Sequence, residues 1–308
     1  MIAIYKYILL TTALLLSACG IMEDTTDCPQ GIEISFYSQT ACALQRSYPA
    51  EISELRMYLF DERGVLAAID SAPEVSLAAD YTYTAEASNG LYTVVAWAGV
   101  DAETFDMSTP QVGVTTKDDV LFSLRNTGGR ALSFNNHRVY YGESEAVNLP
   151  DPAIYGSVFK QVSVNLREQT NRITVEVEGL PRADDYEVAI ETKMGAMCFG
   201  GGERASPQME YLPVARLTSG VLTASLTVME LTTGFDTELV VRHRQRGTEL
   251  YRGDLLGTLL LKNPNVNLAC DNDFVIRFTT NNQNQNETYT ITEIWVNNWL
   301  VHSYETEL

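Results

Sequence analysis

Period-two alternation of apolar and polar residues runs through most of this chain, and it leaves little choice but β-structure. Ile32-Glu33-Ile34-Ser35-Phe36 alternates cleanly, Leu55, Met57 and Leu59 share one face of a second segment, and Tyr81 to Glu86 alternates Tyr with Thr. Successive side chains of a strand point to opposite faces, so each such segment can bury one face and wet the other. The segments are short and separated by Gly, Asn, Asp and Pro, the spacing of a sandwich or barrel. One segment breaks the alternation. Gly90-Leu91-Tyr92-Thr93-Val94-Val95-Ala96-Trp97-Ala98-Gly99 is apolar almost throughout, as expected of a central strand covered on both faces. In such a segment Trp97 belongs in a core.

Leu149-Pro150-Asp151-Pro152 interrupts the pattern. Two prolines cannot sit inside a central strand, so a domain boundary is expected there, with one sandwich over 31–152 and a second over 153–308. Val120 to Leu124 and Arg138 to Tyr141 complete the first set. In the second, Val162, Val164 and Leu166 line one face, Glu168-Gln169-Thr170-Asn171 turns, and Ile173, Val175 and Val177 return on a paired strand. Further strands are expected over 186–191, 221–228, 239–243, 274–279 and 289–296. Asp254-Leu255-Leu256-Gly257-Thr258-Leu259-Leu260-Leu261-Lys262 is the best helix candidate, with Asp254 as its N-cap. The reading is all-β: two similar sandwiches in tandem, with a short helix in the second.

The N-terminus fixes the compartment. Lys6 precedes a mostly apolar stretch from Tyr7 to Leu16, and Leu16-Ser17-Ala18-Cys19 follows. A basic residue, a short apolar run and small residues at a cleavage point make a secretory signal, residues 1–18. The run is too short to span a bilayer. A cysteine directly after the small residues makes a lipobox. Cleavage would leave Cys19 as a lipidated first residue bearing acyl chains such as palmitate, each methylene contributing about 0.8 kcal/mol of membrane affinity. Residues 19–30 would form a tether, and acidic Glu23, Asp24 and Asp27 within it match a surface-export signal as well as a plain polar spacer. The expected location is the outer membrane, lipid-anchored and facing outwards.

The net charge is −19, and removal of residues 1–18, with one Lys and no acid, makes it −20. That excludes nucleic acid as a natural partner, because such binding rests on Lys and Arg neutralising phosphates. Cys28, Cys42, Cys198 and Cys270 remain beside Cys19. Export permits disulfides, and pairing within the expected domains would give Cys28–Cys42 and Cys198–Cys270. Four separate thiols are the equal alternative. No CxxC pair exists and His137, His243 and His302 lie far apart, so neither a metal site nor any other cofactor is expected. Gly200-Gly201-Gly202-Glu203-Arg204 lacks the ending of a phosphate loop and reads as a turn. No serine sits in a GxSxG elbow and no acid–base pair stands out, so no enzyme is expected. Arg252-Gly253-Asp254 spells an adhesion tripeptide, but Asp254 has a local role as a cap.

Taken together, the lipobox, Cys28, Ile32–Phe36, Leu55–Asp61, GLYTVVAWAG, Tyr141-Gly142, Asn171–Val175, the 254–262 helix and the ending Ile294-Trp295-Val296-Asn297-Asn298-Trp299 resemble one family over essentially the whole mature chain. It is the fimbrial anchor lipoproteins of the FimB and minor-fimbrium anchor type, from type V pilus systems. The resemblance implies two transthyretin-like β-sandwiches, no enzymatic activity, and a role in anchoring or terminating a fimbria, with major or minor fimbrillin subunits as partners. It also implies strand exchange. Stalk subunits of this class lose their first strand to an arginine-specific protease, whereas an anchor should keep it; here that strand is Ile32–Phe36. Arg46 matches such a cleavage site by type alone and reads better as a loop arginine. The candidate donor strand is Tyr289–Tyr304, with Tyr289, Ile291, Ile294, Val296 and Trp299 as its apolar residues. The bland alternative is a closed last strand of its own domain. A surface adhesin or glycan-binding lipoprotein, including a pilus tip subunit, is the alternative function.

Overall fold

Strand after strand forms where the alternation places it. The structure, a computed structural model, describes residues 28–303 apart from 132–136, 181, 214, 219, 262, 264 and 285–287. Cys19 and most of the tether therefore lie outside the described residues. The chain begins with β1 (Gly31–Tyr37), β2 (Leu55–Asp61), β3 (Leu66–Ala72), β4 (Thr82–Glu86) and β5 (Gly90–Ala98). Next come β6 (Phe105–Met107), β7 (Val120–Leu124), β8 (Asn126–Thr127), β9 (Arg130–Ala131), β10 (Tyr140–Glu143) and β11 (Val147–Leu149). A one-turn helix α1 (Pro152–Tyr155) precedes β12 (Phe159–Asn165) and β13 (Arg167–Glu168). The remainder is β14 (Thr170–Glu178), β15 (Tyr186–Cys198), β16 (Glu203–Tyr211), β17 (Ala215–Thr218), β18 (Val221–Met229), β19 (Glu238–His243) and β20 (Glu249–Asp254). Helix α2 (Leu255–Leu260), β21 (Asp273–Asn284), β22 (Thr288–Val296) and β23 (Trp299–Ser303) end it.

Four sheets make two sandwiches. In the first, β12-β1-β4 faces β13-β10-β5-β2-β3, and β11 also pairs with β5. Ile32, Ile34, Phe36, Met57, Leu59, Val94 and Ala96 fill the space between them. In the second, β17-β18-β14-β21-β22-β23 faces β20-β19-β15-β16-β9-β8, with β7 and β6 extending the latter sheet. Here Ile173, Val175, Val188, Ile190, Phe274, Ile276 and Phe278 pack together.

The continuous apolar segment behaves as the sequence demands. On β5, Val94, Ala96 and Ala98 enter the first core, while Val95 and Trp97 enter the second. β2 does the same with Met57 and Leu59 on one side and Tyr58 and Phe60 on the other. One sheet thus serves as a wall for both cores. Trp97 has no exposed surface; its Nε1–H donates to the Phe199 carbonyl at 2.9 Å, and its ring meets Phe122 edge-on at 5.4 Å.

The expected boundary at 152 is corrected, because the two sandwiches exchange strands across it. β6 to β9 leave the first sandwich and join the sheet of β15 and β16. Phe105, Leu121, Phe122 and Leu124 supply the reason: their apolar face completes the second core. In the other direction, β12 returns to the first sandwich, where Val164 and Leu166 are buried. It pairs in parallel with β1. The expected hairpin between Val162–Leu166 and Ile173–Val177 therefore does not form; β14 pairs with β18 and β21 instead. The Pro150–Pro152 break is a helix start, with Pro152 in the first turn and the Asp151 side chain accepting from Ala153 N–H. Helix α2 forms as expected, capped by the Asp254 carboxylate on Gly257 N–H, with Leu255, Leu256 and Leu259 buried.

Candidate functional site

The part of the molecule that the sequence marks as functional is the first strand and what holds it. β1 lies in the middle of its sheet. It pairs in parallel with β12 along its whole length, Gly31↔Phe159 to Tyr37↔Asn165. On its other side Gly31 to Ser35 pair antiparallel with Glu86 to Thr82. Ile32, Ile34 and Phe36 are at most 1% exposed, so the strand closes the first core. Its far end is fixed by Asn165, whose side chain accepts from Gln39 N–H and donates to the Gln39 carbonyl, both at 2.9 Å. Its near end is held by Gln30, which donates to the Pro150 carbonyl at 2.8 Å.

Beyond β1 the chain makes a small loop closed by reciprocal backbone bonds between Ser38 and Ser47, both 2.8 Å. The Arg46 guanidinium stacks over the Tyr37 ring at 4.0 Å. Cys42 sits at the exposed part of this loop and is bonded to Cys270, Cα to Cα 5.8 Å. Both expected pairings are thereby corrected. Cys28 is a free thiol, and Cys198 is free and buried on β15, with burial pushing its thiol upwards. Pairing within domains fails because the loop after β1 reaches out of the first sandwich to the 265–271 segment of the second. Cys270 is presented there by a turn in which its N–H donates to the Asn267 carbonyl at 2.9 Å.

Beside the crosslink runs a chain of ion pairs that joins the sandwiches. Glu51 accepts from Arg138 and from the Tyr140 hydroxyl, each at 2.7 Å. Glu168 is engaged by Arg172, and Arg172 grips Asp273 bidentately at 2.6 and 2.7 Å. Hydrogen bonding from Arg172 holds the Asp273 carboxyl below the usual range. Burial opposes ionisation of Glu51, but Tyr140 and Arg138 outweigh it and its pKa is also lowered. Burial raises Tyr140 strongly and raises Glu230, which lines the same cleft. Nothing in the local sequence announces these partners, which come from the loop before β2, the lead-in to β10, and β10, β13, β14 and β21.

Of the two readings of the C-terminal segment, this chain adopts the closed strand. β22 lies between β21 and β23. Ile291, Ile294 and Val296 are buried in the second core, and Tyr289 packs against it half-buried. Among the described residues β23 pairs with β22 alone and forms the edge of the six-stranded sheet. On it Trp299 is 42% and Leu300 40% exposed. The Arg252-Gly253-Asp254 tripeptide is engaged within the fold: Arg252 pairs with Glu191, Glu238 and Glu249, and Asp254 caps α2. Among the described residues no group of His, Cys, Asp and Glu is placed to hold a metal ion, and no helix is long and apolar enough to cross a membrane.

Residues 25–305 match the model of a family described as fimbrillin-A associated anchor proteins Mfa1 and Mfa2. The chain is 36% identical over 301 residues to the minor fimbrium anchoring subunit Mfa2 of Porphyromonas gingivalis, covering 95% of this chain and 92% of that one. The solved structure of the fimbrial anchor protein Mfa2 from Porphyromonas gingivalis superposes with a TM-score of 0.84 at 34% identity, covering 90% of this chain and all of that one. A Bacteroides thetaiotaomicron protein described as polysaccharide-binding shares the fold, with a TM-score of 0.74 at 19% identity over 91% of this chain and 99% of that one.

Proposed function

The chain belongs to the family of fimbrillin-A associated anchor proteins, and from that premise we propose that it anchors or terminates a fimbria at the outer-membrane surface. In this reading the protein is a lipoprotein. Cys19 carries the lipid, residues 19–30 are the tether, and the two sandwiches are the body that meets a major or minor fimbrillin. It is a structural protein, with neither enzymatic nor nucleic-acid-binding work to do.

The observation that carries the reading is the seat of β1. A subunit that accepts a neighbour's strand needs an open groove in its sheet. Here β1 fills that position, hydrogen-bonded on both sides and with its apolar face at most 1% exposed. A body closed in this way cannot take up a further strand there, which suits a terminus of the polymer. Contact with the fimbrillin then falls to an edge. β23 is the best supported one, being the last strand, paired on one side and bearing half-exposed Trp299 and Leu300.

Binding of the purified soluble chain to fimbrillin tests this. Replacing Trp299 by Arg should weaken the complex at least tenfold with the fold unchanged. Undiminished binding would exclude β23 as the contact, and no binding by the unsubstituted chain would overturn the anchoring reading.

A further inference from the structure

One covalent bond lies across the route by which tension enters this chain. A pull on the N-terminal end arrives at Cys28 and acts first on β1. If β1 yields in a chain without a crosslink, the pull passes through residues 38–54 into β2. That strand has Met57 and Leu59 in one core and Tyr58 and Phe60 in the other, so its loss opens both sandwiches. The bond between Cys42 and Cys270 intercepts this route. Cys42 stands five residues after β1, and Cys270 three residues before β21. β21 lies inside the six-stranded sheet, between β14 and β22, and its first residue, Asp273, is gripped by Arg172.

We propose that the Cys42–Cys270 bond is a tension shunt and retention lock. It carries a pull on the N-terminal end directly into the middle of the second sandwich, and it takes β2 to β20 out of the path. The bypassed stretch spans a sequence separation of 228. The same bond keeps β1 covalently attached when the chain is cut between its two ends. The exposed loop that carries Arg46 is the evident place for such a cut, since hydrolysis after Arg46 leaves Cys42 on the N-terminal piece and Cys270 on the body. The usefulness of such a lock rests on the anchoring reading, while its mechanics do not.

Single-molecule pulling on the full soluble chain, held by its two ends, tests the lock. In the oxidised chain only residues up to 42 and beyond 270 can extend, about 80 Å for the mature N-terminal stretch and about 130 Å to residue 308, at roughly 3.5 Å per residue. Further force should add nothing, and successive pulls should superimpose. With dithiothreitol present, the same molecules should lengthen by about 800 Å more, the span of the bypassed stretch. After trypsin has cut at Arg46, the N-terminal handle should stay attached under tension until reductant is added. A Cys42→Ser chain cut in the same way should lose it. Equal lengthening of oxidised and reduced chains, traces that change from pull to pull, or release of the cut N-terminal piece without reductant would each overturn the proposal. None of these results would bear on fimbrial anchoring, which is read from fimbrillin binding and on cells.

Discussion

Single residues at the seam between the cores carry much of the stability. Trp97 is fully buried, with its ring on Phe122 and its N–H on the Phe199 carbonyl. Trp97→Ala should cost about 3–5 kcal/mol in equilibrium unfolding by denaturant; a loss below 1 kcal/mol would mean that the wall between the cores collapses around the gap. Glu230 behaves in the opposite sense. Burial raises its pKa in the folded state, so the folded state binds the proton more tightly and stability falls as pH rises through that value. Glu230→Gln should therefore stabilise the protein at pH 7, with the gain shrinking towards the unfolded pKa of about 4.3. Asp273 has the reverse sign. Arg172 lowers its folded pKa, so its contribution is complete above the unfolded value of about 3.9 and fades as pH falls through the folded one. In Arg172→Met, thermal melts should lose part of the stability drop seen below pH 4. Trp97 was legible as a core residue from its place in GLYTVVAWAG. Glu230 was not, because its burial comes from residues distant in sequence.

At the scale of elements, most of the core strands were legible, but β3, β16 and β20 were not, since their half-exposed sequences alternate weakly. Several strand partners were not legible either. Alternation tells which residues share a face, so Ile32–Phe36 and Leu55–Leu59 read correctly. It says nothing of which segment lies alongside. β12 illustrates this. Its pattern marks a strand, and the turn residues after it suggest a hairpin, but its partner is β1, 128 residues away in Gly31↔Phe159 register. For 289–304 the pattern left a donor strand and a closed strand equally open, because apolar residues at alternate positions serve either. If the seat of β1 is closed as described, the Gln39 amide clamped by Asn165 should be protected from hydrogen exchange. Asn165→Ala should remove that protection while leaving the β14 amides unchanged. Equal exchange in both proteins would show that the end of β1 is held by something else.

The whole molecule is two sandwiches that share a sheet, trade strands and are bonded to each other through Cys42 and Cys270. Domain-wise reasoning about cysteines could not find that bond, because the loop that carries Cys42 belongs to one sandwich and reaches the other. In a chain-entropy account a crosslink of this span stabilises by about 5 kcal/mol, so reduction should lower the denaturation midpoint of both sandwiches together rather than of one alone. The central claim is that this body ends a fimbria and that lipid on Cys19 holds it to the cell. It is tested most directly by counting cell-bound and shed fimbriae in a strain whose only copy carries Cys19→Ala. The account predicts that most fimbriae appear in the medium while the altered protein is still made. Fimbriae that remain on the cells in normal number and length would contradict it.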